Sequence, residues 1–432
     1  MNKAGIRWLY QELPELVQNG VLSQDCADKL QQHYGPVRTT GKTTAMLVIL
    51  GTLGSLLIGL GIILLLAHNW EQFSRFTRMI LSLLPLVLGQ GLCLWVMQKK
   101  PDSGAFKEGA ATFLSLMVGA AISLIGQTYN IPADSGSFTL TWMLLIIPLT
   151  YLMQATLPAV FYLIGITVWT GINFDSLLNV FWFWPLAAVT LPHFLWAIRR
   201  ESYALRGAIF SFIAVICISF GASFSLGKFW PSAWMFIFSG LYSIFYSLGC
   251  VKAGGLTANW QKPLRLLGGI ALFILAYIFT FRNVWVYGLG ANPEISGTGF
   301  LLDQTIIIAI VTGAVLLFFG NIRNRNQIAS LFSVVPLLVF IAYLVSARSP
   351  VLALLIFNAY LLVLSISHIR LGIRNANLGL TNIGMLMLAV LIIARFFDSD
   401  IGFVAKGLVF IILGIGFLTV NLQLSRRLRG AK

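Results

Sequence analysis

From Thr43 onward the chain alternates apolar runs of about 17–24 residues with short polar breaks. A helix needs about 20 apolar residues to cross the hydrocarbon core of a bilayer. The runs lie near 45–67, 77–97, 108–127, 138–154, 157–172, 178–197, 206–224, 231–250, 264–281, 302–320, 328–346, 350–367, 379–396 and 402–422. They predict an all-α fold: a polytopic transmembrane helix bundle of about fourteen spans over 43–432. The fourth and fifth runs are short and nearly continuous, so they read as a tight hairpin or as one broken segment. Charged residues make up 10% and apolar residues 58%, which excludes a soluble globular or disordered chain.

Charge tests the partition independently. With the N-terminus inside and sides alternating, 22 of the 29 Lys and Arg fall in cytoplasmic segments and seven opposite. Those seven are Arg75, Arg78, Lys228, Arg282, Arg348, Arg395 and Lys406. Cytoplasmic loops accumulate Lys and Arg, so the split predicts an even number of spans with both termini inside. The net charge of +15 therefore reflects topology. Nucleic-acid binding is not expected, since no basic stripe is interleaved with aromatics outside the apolar runs.

Residues 1–42 read as a cytoplasmic amphipathic helical hairpin. Ile6, Leu9, Leu13 and Leu16 recur at helical spacing, Gly20 ends the first helix, and Ser23 is a plausible N-cap with Asp25 behind it. Ala27, Leu30 and Tyr34 continue a second helix to Gly35-Pro36. About 35 residues bury too little surface to fold alone, so this segment is expected to pack on the membrane domain, on a protein partner or on its own copy. Asn321–Asn326 and Gly372–Asn377 echo each other at an offset of 51 residues, or two spans. Either a parallel two-helix duplication or chance similarity of turns accounts for that.

Chemical motifs are scarce. Cys26, Cys93, Cys217 and Cys250 form no CxxC, and His33, His68, His193 and His368 are scattered, so no metal site or cofactor is expected. Gly41-Lys42-Thr43 is not a phosphate loop, because Pro36 stands where the first glycine belongs and no strand precedes it. No hydrolase, zinc-protease or paired-carboxylate pattern supports catalysis. Phe181-Trp182-Phe183-Trp184-Pro185 opens the sixth run and Pro192-His193 follows, so that span is expected to be kinked. Asn358, Tyr360 and Asn382 are expected to hold helices together.

Ionisable residues inside spans are costly and mark function. The near-embedded polar and charged candidates cluster at the non-cytoplasmic ends: Gln127, Tyr129 and Asn130 close the third run, with Asp134 beyond; Asp303 and Gln304 open the tenth; Arg395 closes the thirteenth, followed by Asp398 and Asp400. We take Gln127, Tyr129, Asn130, Asp134, Asp303, Arg395, Asp398 and Asp400 as candidate ligand residues. The competing reading makes them loop caps and interface anchors.

Leu9-x3-Leu13-x2-Leu16-Val17-x2-Gly20-Val21-Leu22-Ser23, followed by Ala27, Leu30 and Tyr34-Gly35, resembles the domain-of-unknown-function 2157 family of bacterial membrane proteins. Gly126-Gln127-Thr128-Tyr129, the stretch Trp142 to Pro148, and Arg395-Phe396-Phe397-Asp398 are similar to it as well. The resemblance implies a bacterial inner-membrane protein and supplies no activity. Two functions fit best: transport or lipid and amphiphile handling through a pocket at the non-cytoplasmic face, or a non-catalytic scaffold that docks partners through residues 1–42. A membrane enzyme acting on a lipid-linked substrate is the third.

Overall fold

A computed structural model describes residues 3–34, 72–132, 134–176, 178–198, 204–250, 261–287, 298–398 and six positions between 411 and 419. The spans expected near 45–67 and 402–422, and Asp400, lie outside the described residues apart from those six positions. The chain divides into two compact units, Met1–Arg78 and Met79–Lys432.

In the first unit, α1 (Lys3–Gln18) and α2 (Gln24–Tyr34) flank a turn at Gly20. Gly20 has φ +67°, and the N–H of Val21 donates to Leu16 O across the turn. Ser23 caps α2 through the Cys26 N–H at 3.3 Å. Leu13 and Ala27 are buried, and the Tyr10 hydroxyl donates to Gln31 O at 3.2 Å.

The described residues are helical without strands. In chain order, α3 (Arg75–Lys99), α4 (Gly104–Thr128) and α5 (Ser135–Leu152) are each long and apolar enough to cross a bilayer. The next apolar helix, α6 (Thr156–Ile172), is shorter. A short 3-10 turn at Asn179–Trp182, α7 (Phe183–Ala188) and α8 (Leu191–Ile198) follow. Crossing length returns with α9 (Ala204–Ser225), α10 (Ala233–Cys250) and α11 (Gln261–Ile278). After α12 (Arg282–Tyr287) come α13 (Thr298–Arg323), the combined α14 (Gln327–Ser333) and α15 (Val335–Ser346), and α16 (Pro350–Arg374). The last, α17 (Leu378–Asp398), is apolar over Leu378–Ile393. Nine described helices thus meet the length and apolarity of a membrane span.

The expected span at 178–197 needs correction, because it is not one helix. Pro185 and Pro192 lack the N–H groups that a continuous helix would bond to Phe181 O and Ala188 O. The chain turns at Val189-Thr190 between α7 and α8. In lipid an unpaired carbonyl costs several kcal/mol (order of magnitude). Two other carbonyls at the break take donors from neighbouring helices: the Tyr162 hydroxyl donates to Leu186 O at 3.0 Å, and that of Tyr151 to Val189 O.

The echoed sequences are one turn used twice. Arg325 and Ala376 both take positive φ, 52° and 49°. Asn326 N donates to Asn321 O and Asn377 N to Gly372 O, each at the same offset. Asn326 and Asn377 then cap α14 and α17 through Ala329 N and Leu380 N. This is the Schellman closure followed by an Asx cap. The closure alone, without the asparagine cap directly after it, also ends α4 at Asn130 (φ 50°) and α5 at Gln154 (φ 52°). Local turn chemistry accounts for the likeness without a duplication.

In the second unit the largest of three buried clusters runs from the 3-10 turn to α17 and includes the mutually packed Phe279, Trp285 and Phe357. α10 and α11 pack backbone to backbone: a Cβ on Gly268 would sit 2.8 Å from Tyr246 N. Polar side chains inside bond across helices or back onto their own. Asn321 donates to Ser247 and Ser333 hydroxyls at 3.0 and 3.2 Å, and many Ser and Thr hydroxyls donate to the carbonyl four residues earlier. Leu, Ile, Val and Phe side chains such as Val87, Leu88, Leu316, Leu355 and Leu386 face outward, as a lipid-contacting surface requires.

Candidate functional site

Up-and-down threading gives the second unit two ends. At one, Gly136 approaches Asn173, Lys228 reaches Phe174 O, and Asp303 meets Gly227; we call it the Asp134 end. At the other, Glu108 meets Thr156 and Arg206; we call it the Glu108 end.

A cavity of about 410 Å³ opens at the Asp134 end between α5, α6 and the 3-10 turn. Ser137, Leu140 and Leu144 line it from one face of α5, spaced by three and four residues. Trp169 and Asn173 enter from the end of α6, and Asn179, Trp182 and Leu186 from the interrupted segment. Asp134 stands at the rim as the N-cap of α5, accepting from Gly136 N at 3.1 Å and Ser137 N at 2.9 Å. The hydrogen bonds of Ser137, then that of Gly136, hold its carboxyl below the usual carboxylate range. Asn173 is fixed by its own bond to Trp169 O at 2.9 Å. The lining carries one carboxylate, two amides and a hydroxyl above Leu and Trp, and none of it is cationic. That chemistry suits a head group rich in hydrogen-bond donors with an apolar tail.

Of the sequence candidates, Asp134 lines this cavity. Gln127 and Asn130 belong to the end of α4: Gln127 O accepts from the cap, and Asn130 provides the positive φ. Tyr129 is exposed and its hydroxyl meets Met79 Sδ at 3.6 Å. Asp303 is fully buried; its Oδ1 accepts from Gly227 N at 2.9 Å and pins the loop before α10, while Oδ2 has no hydrogen-bond partner. Arg395 donates to Thr280 Oγ1 at 3.1 Å and lies 5.0 Å from the Phe281 ring centre. Asp398 ends α17, and its side chain lies outside the described residues. Neither Asp303 nor Arg395 lines the Asp134 cavity. Lys228 lies over the Phe174 ring, and burial draws its ammonium below the usual lysine range against the opposing pull of Asp175.

Sequence reading missed the tightest polar cluster. Glu108, nearly buried in α4, accepts from the N–H groups of Thr156 and Leu157 at 2.7 and 3.0 Å, so it caps α6 from another helix. Arg206 of α9 pairs with it at 3.1 Å, and the Thr156 hydroxyl lies 3.3 Å from His193 Nε2. The order Lys107-Glu108 at the head of an apolar run looks like an ordinary charged flank, and nothing local in sequence points to Arg206. The cluster binds α4, α6, α8 and α9 together at the Glu108 end.

Comparison with known proteins bears on the first third of the chain. Residues 14–159 match the family described as predicted membrane protein (DUF2157). The DUF2157 match runs from α1 to the first turn of α6 and takes in the start of the Asp134 cavity. The resemblance read at Arg395–Asp398 lies beyond it. No curated protein and no solved structure matches the chain.

Proposed function

We propose that this membrane protein handles an amphiphile, seating a donor-rich head group at the Asp134 cavity and its tail along Leu140, Leu144 and Leu186. The cavity beside the interrupted segment carries this reading. Broken helices recur where membrane proteins bind substrates at an irregular backbone. The excess of cations elsewhere supports a non-cytoplasmic position for this end and a bacterial inner-membrane setting with both termini inside.

Phosphatidylethanolamine bearing a diazirine in its acyl chain tests it, with cross-links mapped by peptide mass spectrometry. Labelling is expected on α5 and residues 179–188 and is expected to drop in Leu144→Trp, which fills the cavity. Labelling confined to other helices, or unchanged in that variant, rejects the reading.

A second reading gives residues 1–42 a docking or self-association role, supported by the division of the chain at Arg78. Cys26 is exposed on α2, unlike Cys93 and Cys217. Self-association through this segment predicts Cys26–Cys26 cross-linking by a short bifunctional maleimide, abolished by Cys26→Ser.

A further inference from the structure

We infer that the groove between α14 and α16 at the Glu108 end binds the phosphate-bearing head group of an anionic phospholipid. The groove encloses about 410 Å³, lined by Gln327, Ser330 and Leu331 of α14 and by Ser367, Arg370 and Arg374 of α16. Its walls are fixed, because the Tyr360 hydroxyl donates to Leu331 O at 3.0 Å and His368 packs edge-on against Phe332. Arg370 and Arg374 stand one helical turn apart and both line the groove. Among the described residues the ion pairs are Lys29–Asp25 and Arg206–Glu108, so neither groove arginine is spent on a carboxylate. Two guanidinium groups with hydroxyl and amide donors beside them fit a tetrahedral oxyanion with several acceptor oxygens.

The groove also has a track for a lipid tail. Ile366 and Leu362, one and two turns inward of Arg370 on the same stripe of α16, are both exposed, at 37% and 44%. A ligand held by its phosphate at the arginines would lay its chains along that stripe, which free phosphate cannot do. The site is separate from the Asp134 cavity and opposite to it in charge.

Native mass spectrometry of the full chain, released from micelles holding equal phosphatidylglycerol and phosphatidylcholine with matched chains, tests the inference first without any variant. Retention of phosphatidylglycerol over phosphatidylcholine is expected, and equal retention overturns the proposal. The double variant Arg370→Gln/Arg374→Gln is expected to lose on the order of tenfold in that preference, since each arginine near an anionic lipid is worth several-fold. Lys99→Gln/Lys100→Gln, the same charge change at the same end, is expected to keep it. An equal loss in both double variants would mean diffuse surface charge and reject a groove site. Millimolar inorganic phosphate is expected to leave phosphatidylglycerol bound; its displacement would assign the groove to free phosphate instead.

Discussion

Glu108 engages three groups at once: it accepts from two N–H donors at the start of α6 and forms an ion pair with the Arg206 guanidinium. Truncating one partner of a buried ion pair leaves an uncompensated charge, so Glu108→Ala is expected to destabilise by about 3 kcal/mol. Glu108→Gln keeps an acceptor for Thr156 N and is expected to lose less. Thermal unfolding in detergent ranks the two, and an alanine variant as stable as the parent would remove Glu108 from its bracing role. At the other end, hydrogen bonding lowers the Asp134 pKa in the folded chain. Its contribution to stability is therefore complete above the ordinary carboxylate pKa of about 3.9 and fades as pH falls through the lower folded value. Faster hydrogen exchange in the first turn of α5 in Asp134→Ala, relative to the parent, is expected at pH 7 and is expected to vanish in strongly acidic buffer. A difference that persists or grows there contradicts the capping account.

Turns and breaks decide most at the level of elements. Ala376 holds a left-handed conformation that costs an L-residue roughly 1 kcal/mol and costs glycine almost nothing. Ala376→Gly is expected to raise the unfolding midpoint in a denaturant titration, whereas Gly20→Ala, the reverse change at α1, is expected to loosen that turn. The runs of apolar residues made most helices legible, because length and hydropathy alone fix what can span a bilayer. The interruption at 178–198 was only half legible. Pro185 and Pro192 announced a disturbance, but a break rather than a kink depends on donors from Tyr151 and Tyr162, which lie on other helices. The echo at Asn321 and Gly372 was visible as a pattern, yet its cause, a shared positive φ followed by an asparagine cap, is a backbone property that letters do not display.

Across the whole second unit, small residues and shared polar groups replace the hydrophobic drive that water would supply. The α10–α11 seam has no room for a side chain at Gly268, so Gly268→Val is expected to cost about 1–3 kcal/mol by overpacking. Detergent-resistant folding that survives this change unaltered would show that the seam yields more than its geometry allows. The candidate ligand residues were legible as chemistry but not as a group. Asp134 lines a cavity, while Asp303 and Arg395 serve separate anchorages, because shared membrane depth does not fix which helices are neighbours. Glu108 escaped notice for the same reason, since its partner Arg206 sits on a helix that sequence order does not place beside it.

The hydrogen-bonded closures between α13 and α14, and between α16 and α17, leave almost no slack in the connecting chain. Each such pair must travel as a single stiff staple. The stretch from Asn179 to Ile198 is secured differently: no such closure joins its two short helices, and hydroxyls of other helices hold the carbonyls of Leu186 and Val189 in place.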